Sequence, residues 1–379
     1  MIERRAFLGG LGCLGVSAAT RAQLPVSHDK LFSAGLILPP GPPGRCDDQR
    51  IGGPVVRWVP EEQRWRMWYY GRHAGFPKDM APPFGTGSIA AASSVDGLNW
   101  ERIGGPLARG AVMVPADDMA AFDSGHVGLG DVIRYRDEWL MAYFGGNQEA
   151  PTDAAPLFDG KGLVVRPGMA RSADGLHWER LRGNANGGAA LDVHPGDVYG
   201  AFPSLVHDPD GGRLLMFYTS VDKGARYWRS RMAASTDARN WTPLPDLHWQ
   251  EDPALFESGG VITRDIQPNP FADDPPWLMV YTAKDGRAET KGRRSIGIAV
   301  SEDLLSWRKL FREPIFTVGR DGAWDHHGVA VPRLIVDDTQ VKLYYYGWYD
   351  GGFNTPPQRG IGCAVATRDD PWRLRRYSG

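Results

Sequence analysis

Ser93-Ser94-Val95-Asp96-Gly97-Leu98-Asn99-Trp100-Glu101-Arg102 decides the fold, because the chain writes it again. It returns as Arg171-Ser172-Ala173-Asp174-Gly175-Leu176-His177-Trp178-Glu179-Arg180. Looser copies are Ala234-Ser235-Thr236-Asp237-Ala238-Arg239-Asn240-Trp241 and Val300-Ser301-Glu302-Asp303-Leu304-Leu305-Ser306-Trp307. A fifth, Ala366-Thr367-Arg368-Asp369-Asp370-Pro371-Trp372, is one residue shorter. The tryptophans stand at 100, 178, 241, 307 and 372, so neighbouring copies are 78, 63, 66 and 65 residues apart. Self-similar segments at a near-constant spacing mark a repeat architecture.

Outward from this motif every repeat has the same grammar. An acid precedes a glycine-bearing apolar strand; a second strand carries alternating aromatics; a third is rich in Ile, Ala and Gly; the Asp turn and the Trp strand follow. In the first repeat these are Asp47 with Gly53-Pro54-Val55-Val56, then Arg66-Met67-Trp68-Tyr69-Tyr70, then Ser88-Ile89-Ala90-Ala91-Ala92. In the fourth they are Glu257 with Gly259-Gly260-Val261, then Trp277-Leu278-Met279-Val280-Tyr281, then Ile296-Gly297-Ile298-Ala299. Four short strands in each of five units predict an all-β chain, a five-bladed β-propeller of four-stranded antiparallel blades, which leaves only short, protected sheet edges. Small residues in the third strand would let neighbouring sheets approach, and the repeated Trp would fill the wedge that widens outward. Residues 28–45 are a candidate for an outer strand.

The 48 glycines and 30 prolines among 379 residues suit short strands joined by tight turns. A formal net charge of -2 with no long charge run argues against binding nucleic acid through a basic face. The N-terminus carries Arg4-Arg5-Ala6-Phe7-Leu8, an apolar run over 8–19 and small residues at 16–18 and Ala22, the pattern of a twin-arginine export signal. We therefore expect a leader over 1–22, a lead segment over 23–45, one propeller domain over 46–379, and a periplasmic or extracellular location. No other stretch approaches the ~18 apolar residues of a membrane span. Cys46 and Cys363 fall in the first and last repeats, which a closed ring brings together. A disulfide and a small apolar core role for Cys363 are both open.

An Asp followed by Gly at a hairpin accepts from backbone N–H groups two residues on. One active site cannot use five equivalent turn residues, so Asp96, Asp174, Asp237, Asp303 and Asp369 read as scaffold. Asp47, Asp123, Asp197, Glu257 and Asp325 precede the first strand in all five repeats; repetition argues for scaffold, but acids at a channel mouth would ring one pocket. Residues that break the repeat are more informative. One first-strand slot holds Val55, Asp131, Ser204, Asp265 and Arg333, and the slot before it holds Arg264 in the fourth repeat. Carboxylates in an apolar channel are costly unless paired, so these residues form either a structural Arg–Asp network or a site. His126, His326 and His327 lie near the channel mouth and suit metal or substrate contact; their spacing fits no zinc motif, and no metal residue is assigned. Tyr199, Tyr227, Trp228, Trp348 and Tyr349 suit stacking on a sugar or another planar face, or packing between sheets.

With this grammar in view, residues 46–376 resemble the five-bladed propeller superfamily of arabinanases, levansucrases and invertases. The resemblance rests on the acid–Gly/Val–Pro strand, the Tyr-bearing strand and the Ile-Gly-x-Ala-x-Ser-x-Asp-x-x-x-Trp segment at 296–307. It implies a carbohydrate or glycan partner, no obligatory cofactor (a channel-bound divalent cation such as calcium is compatible), and two-carboxylate glycoside cleavage. Leu129-Gly130-Asp131-Val132 resembles the family's second-blade element. By contrast, Gly53-Pro54 stands where an Asp-Pro pair is expected, and Gly200-Ala201-Phe202-Pro203 carries no Glu. The expected catalytic set is Asp131 and Asp265, assisted by Asp47 or Glu257. Asp123, His126, Tyr199, Arg264, Asp325, His326, His327, Arg333 and Trp348 are the expected substrate contacts. Three readings stand: an exported glycoside hydrolase or transglycosylase, a non-catalytic glycan-binding or scaffold propeller, and, last, a sialidase-like enzyme suggested by Ser-x-Asp-Gly…Trp.

Overall fold

The computed structural model describes residues 33–77, 80, 85–152, 160–208, 212–224, 227–272, 274–290, 292–349 and 359–379. The expected leader over 1–22 lies outside them. The repeats become five sheets, all antiparallel save one short edge pairing. Blade one is β2 (Arg50–Val59), β3 (Arg64–Arg72), β4 (Ser88–Ser94) and β5 (Glu101–Ile103). Blade two is β6 (His126–Tyr135), β7 (Glu138–Gly146), β8 (Val165–Ser172) and β9 (Glu179–Leu181). Blade three is β10 (Asp197–Asp208), β11 (Arg213–Asp222), β12 (Trp228–Ser235) and β13 (Thr242–Leu244). Blade four is β15 (Val261–Pro268), β16 (Trp277–Lys284), β17 (Arg294–Ser301) and β18 (Ser306–Lys309), with β14 (His248–Trp249) added parallel to β18. This is the expected five-bladed propeller.

Blade five closes the ring with both ends of the chain. Its strands β19 (Gly328–Val336), β20 (Gln340–Trp348) and β21 (Arg359–Thr367) are followed by β22 (Arg375–Arg376), which pairs β21. Further along the same strand edge, β1 (Leu36–Leu38) pairs Leu36 with Gly362. Part of the lead segment is thus the outer strand expected from residues 28–45.

The Asp turns are the joints between blades. Asp237 accepts from the N–H groups of Arg239 (2.9 Å) and Asn240 (2.8 Å), and the Trp241 indole N–H closes onto the Ala238 carbonyl (3.2 Å). The residue after the aspartate is left-handed in four copies: φ is 74° at Gly97, 73° at Gly175, 60° at Ala238 and 64° at Leu304. That geometry turns its carbonyl toward the preceding blade. Trp68 donates to the Gly175 carbonyl at 2.7 Å, and Tyr344 donates to the Gly97 carbonyl at 2.7 Å. In these four copies the aspartate is structural, as repetition implied.

The apolar core is divided accordingly: four buried clusters lie between successive blades, and a fifth joins blades one and two to residues of the other three, among them Tyr199, Ile262 and Tyr346. The cluster joining blades five and one contains Cys46 and Cys363 as buried free thiols. Burial pushes the Cys46 thiol up to about 12.

Candidate functional site

Each first strand except that of blade four slips its pairing register by a bulge just before the slot that breaks the repeat, between Gly52 and Val55, Leu129 and Asp131, Ala201 and Ser204, and Ala330 and Arg333. A bulge re-aims the side chain that follows it. The bulges re-aim Asp131 and Arg333, and both meet Asp265 at the centre of the ring; the strand of Asp265 slips earlier, between Val261 and Thr263. Asp131, Asp265 and Arg333 are 1%, 2% and 2% exposed. Arg333 donates to Asp265 at 2.7 Å, approaches Asp131 at 3.3 Å and also bonds the Gly130 carbonyl. The second oxygen of Asp265 accepts the Leu334 N–H (2.9 Å). Asp131 repeats that geometry between blades two and three, accepting the Leu205 N–H (2.9 Å) while Arg57 of blade one holds its other oxygen (2.9 Å). One buried network thus touches all five blades. Burial alone would lower the pKa of Arg333, but Asp131 and Asp265 outweigh it and raise it.

Arg264, expected beside substrate, points instead between blades three and four. It donates to Thr219 Oγ1 (2.7 Å) and the Ile262 carbonyl (3.3 Å), while its Nε and Nη1 find no acceptor. Burial pushes its guanidinium down to about 9.

The acids ahead of the first strands do not ring the channel mouth; they fold back onto their own blades. Asp47 accepts from the Tyr69 hydroxyl (2.9 Å) and Arg102 (2.7 Å), Asp123 from Tyr143 (3.0 Å) and Arg180 (2.8 Å), and Asp325 from Tyr345 (2.9 Å) and Arg376 (2.7 Å). Glu257 accepts from Tyr281 (2.9 Å), the Ala254 N–H (2.7 Å) and Lys309. In blades two, four and five the tyrosine lies over the glycine opposite it, where blade one has Ala90: a Cβ added at Gly168 would stand 2.6 Å from the Tyr143 ring, and one at Gly297 2.4 Å from Tyr281. Blade three departs from this in a connected way. The residue two after its tryptophan is Pro243, not a base, and the residue opposite Tyr218 is Arg231, not glycine. Arg231 supplies the missing positive charge to Asp197 at 2.7 Å. Sequence reasoning overlooked these partners. Their signal was the base two after the tryptophan, at Arg102, Arg180 and Lys309.

The remaining expected contacts divide between core and mouth. His126 is fully buried; its Nε2 donates to the Gly162 carbonyl (2.8 Å), leaving Nδ1 to accept from Thr86 (3.1 Å). Burial pushes it down to about 4. Tyr199, Trp228 and Trp348 are buried and pack between sheets, not on exposed loops. His326 and His327 are half-buried, and His327 stacks on Tyr349 with ring centres 4.9 Å apart.

This mouth lies at the rim where first strands begin, second strands end and third strands begin; the Asp turns occupy the opposite rim. It also gathers bases that the sequence reading did not single out. Arg50 and Arg72 face each other across β2 and β3, and Lys284 and Arg294 across β16 and β17. Arg359 donates to the Tyr346 hydroxyl at 2.6 Å. Among the described residues, no group of three or more His, Cys, Asp or Glu side chains is placed to hold a metal ion. No helix among them is long and apolar enough to cross a membrane.

No protein-family model matches the chain, and no curated protein matches it. Solved structures match closely in fold. One, described as a glycoside hydrolase, is 18% identical with a TM-score of 0.61, covering 87% of this chain and 91% of its own. An N-acetylgalactosamine deacetylase from F. plautii, in complex with blood group B trisaccharide, is 16% identical with a TM-score of 0.60, covering 88% and 94%. An exo-1,5-alpha-L-arabinanase from a bovine ruminal metagenomic library is 12% identical with a TM-score of 0.52, covering 84% and 93%. The chain shares the five-bladed fold of these carbohydrate-handling proteins.

Proposed function

We propose that this chain is a carbohydrate-active propeller, exported through its N-terminal twin-arginine segment, whose glycan docks at the rim where third strands begin. The observation that carries the reading is the convergence there of arginines, tyrosines and histidines from several blades, on a fold shared with proteins that handle sugars. As a glycoside hydrolase or transglycosylase it would draw on Asp131 and Asp265, assisted by Asp47 or Glu257. Carboxyl groups about 5–5.5 Å apart give retention and about 6.5–9.5 Å inversion.

One observation favours a second reading, a glycan-binding propeller without turnover. Both oxygens of each of these four carboxylates already accept hydrogen bonds or ion pairs, whereas a general acid must donate a proton to the leaving oxygen. A screen against aryl-glycosides and oligosaccharides, with the wild type beside Asp131→Asn, separates the two. The hydrolase reading expects product release that the substitution abolishes. Retention of a saccharide without release, unchanged by the substitution, contradicts that reading and supports the binder.

A further inference from the structure

One slot of the third strand breaks the repeat in blade three. The residue before the one that faces the blade's tyrosine is Ile89, Pro167, Ile296 or Ile361 in the other blades, and Ser230 in this one. In those four blades another stretch of chain covers the slot. Ile89 donates its N–H to the Met113 carbonyl (2.8 Å), Ala190 to the Pro167 carbonyl (2.9 Å) and Ile296 to the Phe316 carbonyl (2.9 Å), while β1 brings Leu38 against Ile361. In blade three the chain leaving β13 turns away instead. His248 donates to the Leu305 carbonyl (2.9 Å) and Gln250 to the Trp307 carbonyl (3.0 Å), so that stretch joins blade four as β14.

The uncovered slot is a cavity of about 320 Å³, lined by Tyr227, Trp228, Arg229, Ser230, Asp246 and Trp249. Ser230 is 8% exposed, and among the described residues its hydroxyl has no hydrogen-bond partner. A buried hydroxyl left unpaired costs about 1–3 kcal/mol, which the isoleucine of the repeat would avoid. The fold therefore does not account for this serine.

The walls suit a sugar ring. Tyr227 is 38% exposed and Trp249 half-buried, and aromatic faces of this kind pack on the apolar face of a pyranose. The polar groups are already matched in charge. Asp246 holds Arg231 through both oxygens (3.0 and 2.9 Å), and Arg229 approaches Asp222 at 4.0 Å. The pocket thus offers hydrogen bonds without net charge, which favours a neutral ligand. Its volume stands near the lower end of the roughly 300–1,000 Å³ of small-molecule sites, room for one ring. It opens where β12 begins, on the rim proposed above for the glycan. Lys284, which faces Arg294, sits 5.9 Å over the Trp228 ring and borders it.

We infer that this gap is a subsite for one neutral hexopyranose residue of a glycan. Tyr227 and Trp249 pack on its ring, Ser230 and Asp246 bond its hydroxyls, and the next residue extends along the rim toward Arg294. The inference rests on the glycan reading and names the ligand class at that rim.

The test is calorimetric titration of the protein with gluco-, galacto-, manno- and galacturono-oligosaccharides. At least one neutral probe is expected to bind, and Tyr227→Ala and Ser230→Ile each to weaken it by about tenfold or more. Tyr227 is exposed, so its variant carries the test if Ser230→Ile fails to fold. Affinity within about twofold of wild type in either folded variant overturns the subsite and leaves the glycan reading standing. No binding of any probe by the wild type overturns that reading, and the subsite with it. A galacturono-oligosaccharide bound about tenfold more tightly than every neutral probe overturns the neutral ring.

Discussion

Arg333 of blade five donates to Asp265 of blade four at 2.7 Å, with both side chains withdrawn from water. A buried ion pair of this kind is a poor source of net stability, but breaking it by removing one partner is costly, because the other charge is left behind. Asp265→Leu is therefore expected to cost about 3–5 kcal/mol. Adding Arg333→Met should recover part of that loss. Urea denaturation of the three proteins checks this; equal stability of wild type and Asp265→Leu would contradict the network.

Arg264 makes the opposite case. Two of its buried nitrogens have no acceptor, and burying a guanidinium without a counter-charge opposes folding. Arg264→Met should leave the protein about as stable or up to about 2 kcal/mol more so. A fall in the urea midpoint would mean that the guanidinium holds something the fold needs.

His126 gives a pH signature. The unfolded chain takes up its proton near pH ~6.5, while the folded protein refuses it until about 4. Between those values the unfolded state binds more protons, so acidification through this window lowers stability, by up to about 3 kcal/mol from this group. Below about pH 4 its contribution is flat. Comparing urea midpoints at pH 7 and 4.5, His126→Gln should lose less than wild type; an identical loss would refute the assignment.

The Asp turns should behave as joints and not as sites. Removing the Asp237 carboxylate strips acceptors from two backbone N–H groups and from Ser235, and Asp237→Ala should cost about 1–2 kcal/mol. Because the turn lies on the opposite rim, saccharide affinity should stay within twofold. The N–H groups of Asn240 and Arg239 hold the Asp237 carboxyl well below the usual carboxylate range, so the turn's contribution is present at neutral pH and fades only as pH falls below ~4.

Much of this was legible in the chain because the fold repeats. Five copies of one turn and one tryptophan gave blade number, strand order and register, and the register exposed Asp131, Asp265 and Arg333 as departures. The structure does bring those three together. What one strand's sequence does not carry is the partner across the ring: Arg57 reaches Asp131 over 74 residues and Arg333 reaches Gly130 over 203. For the acids ahead of the first strands, repetition argues for scaffold and position for a ring at the channel mouth; tyrosines elsewhere in the same blades, at 69, 143, 281 and 345, hold four of them on the scaffold side. The rim arginines escaped notice because each closes or opens an otherwise ordinary strand, and their convergence depends on the closed ring.

The central claim is that ligands meet this protein at the rim where third strands begin, above the buried centre of Asp131, Asp265 and Arg333. The most direct measurement is a crystal structure with the tightest-binding saccharide from the screen. The account predicts the sugar within hydrogen-bond reach of Arg294 or Arg359, with the Asp131–Arg333–Asp265 network intact beneath it. A sugar seated instead in the flank groove of about 590 Å³ lined by Leu36, Arg64, Trp100 and Tyr377, or one that displaces Arg333 from Asp131 and Asp265, would contradict it.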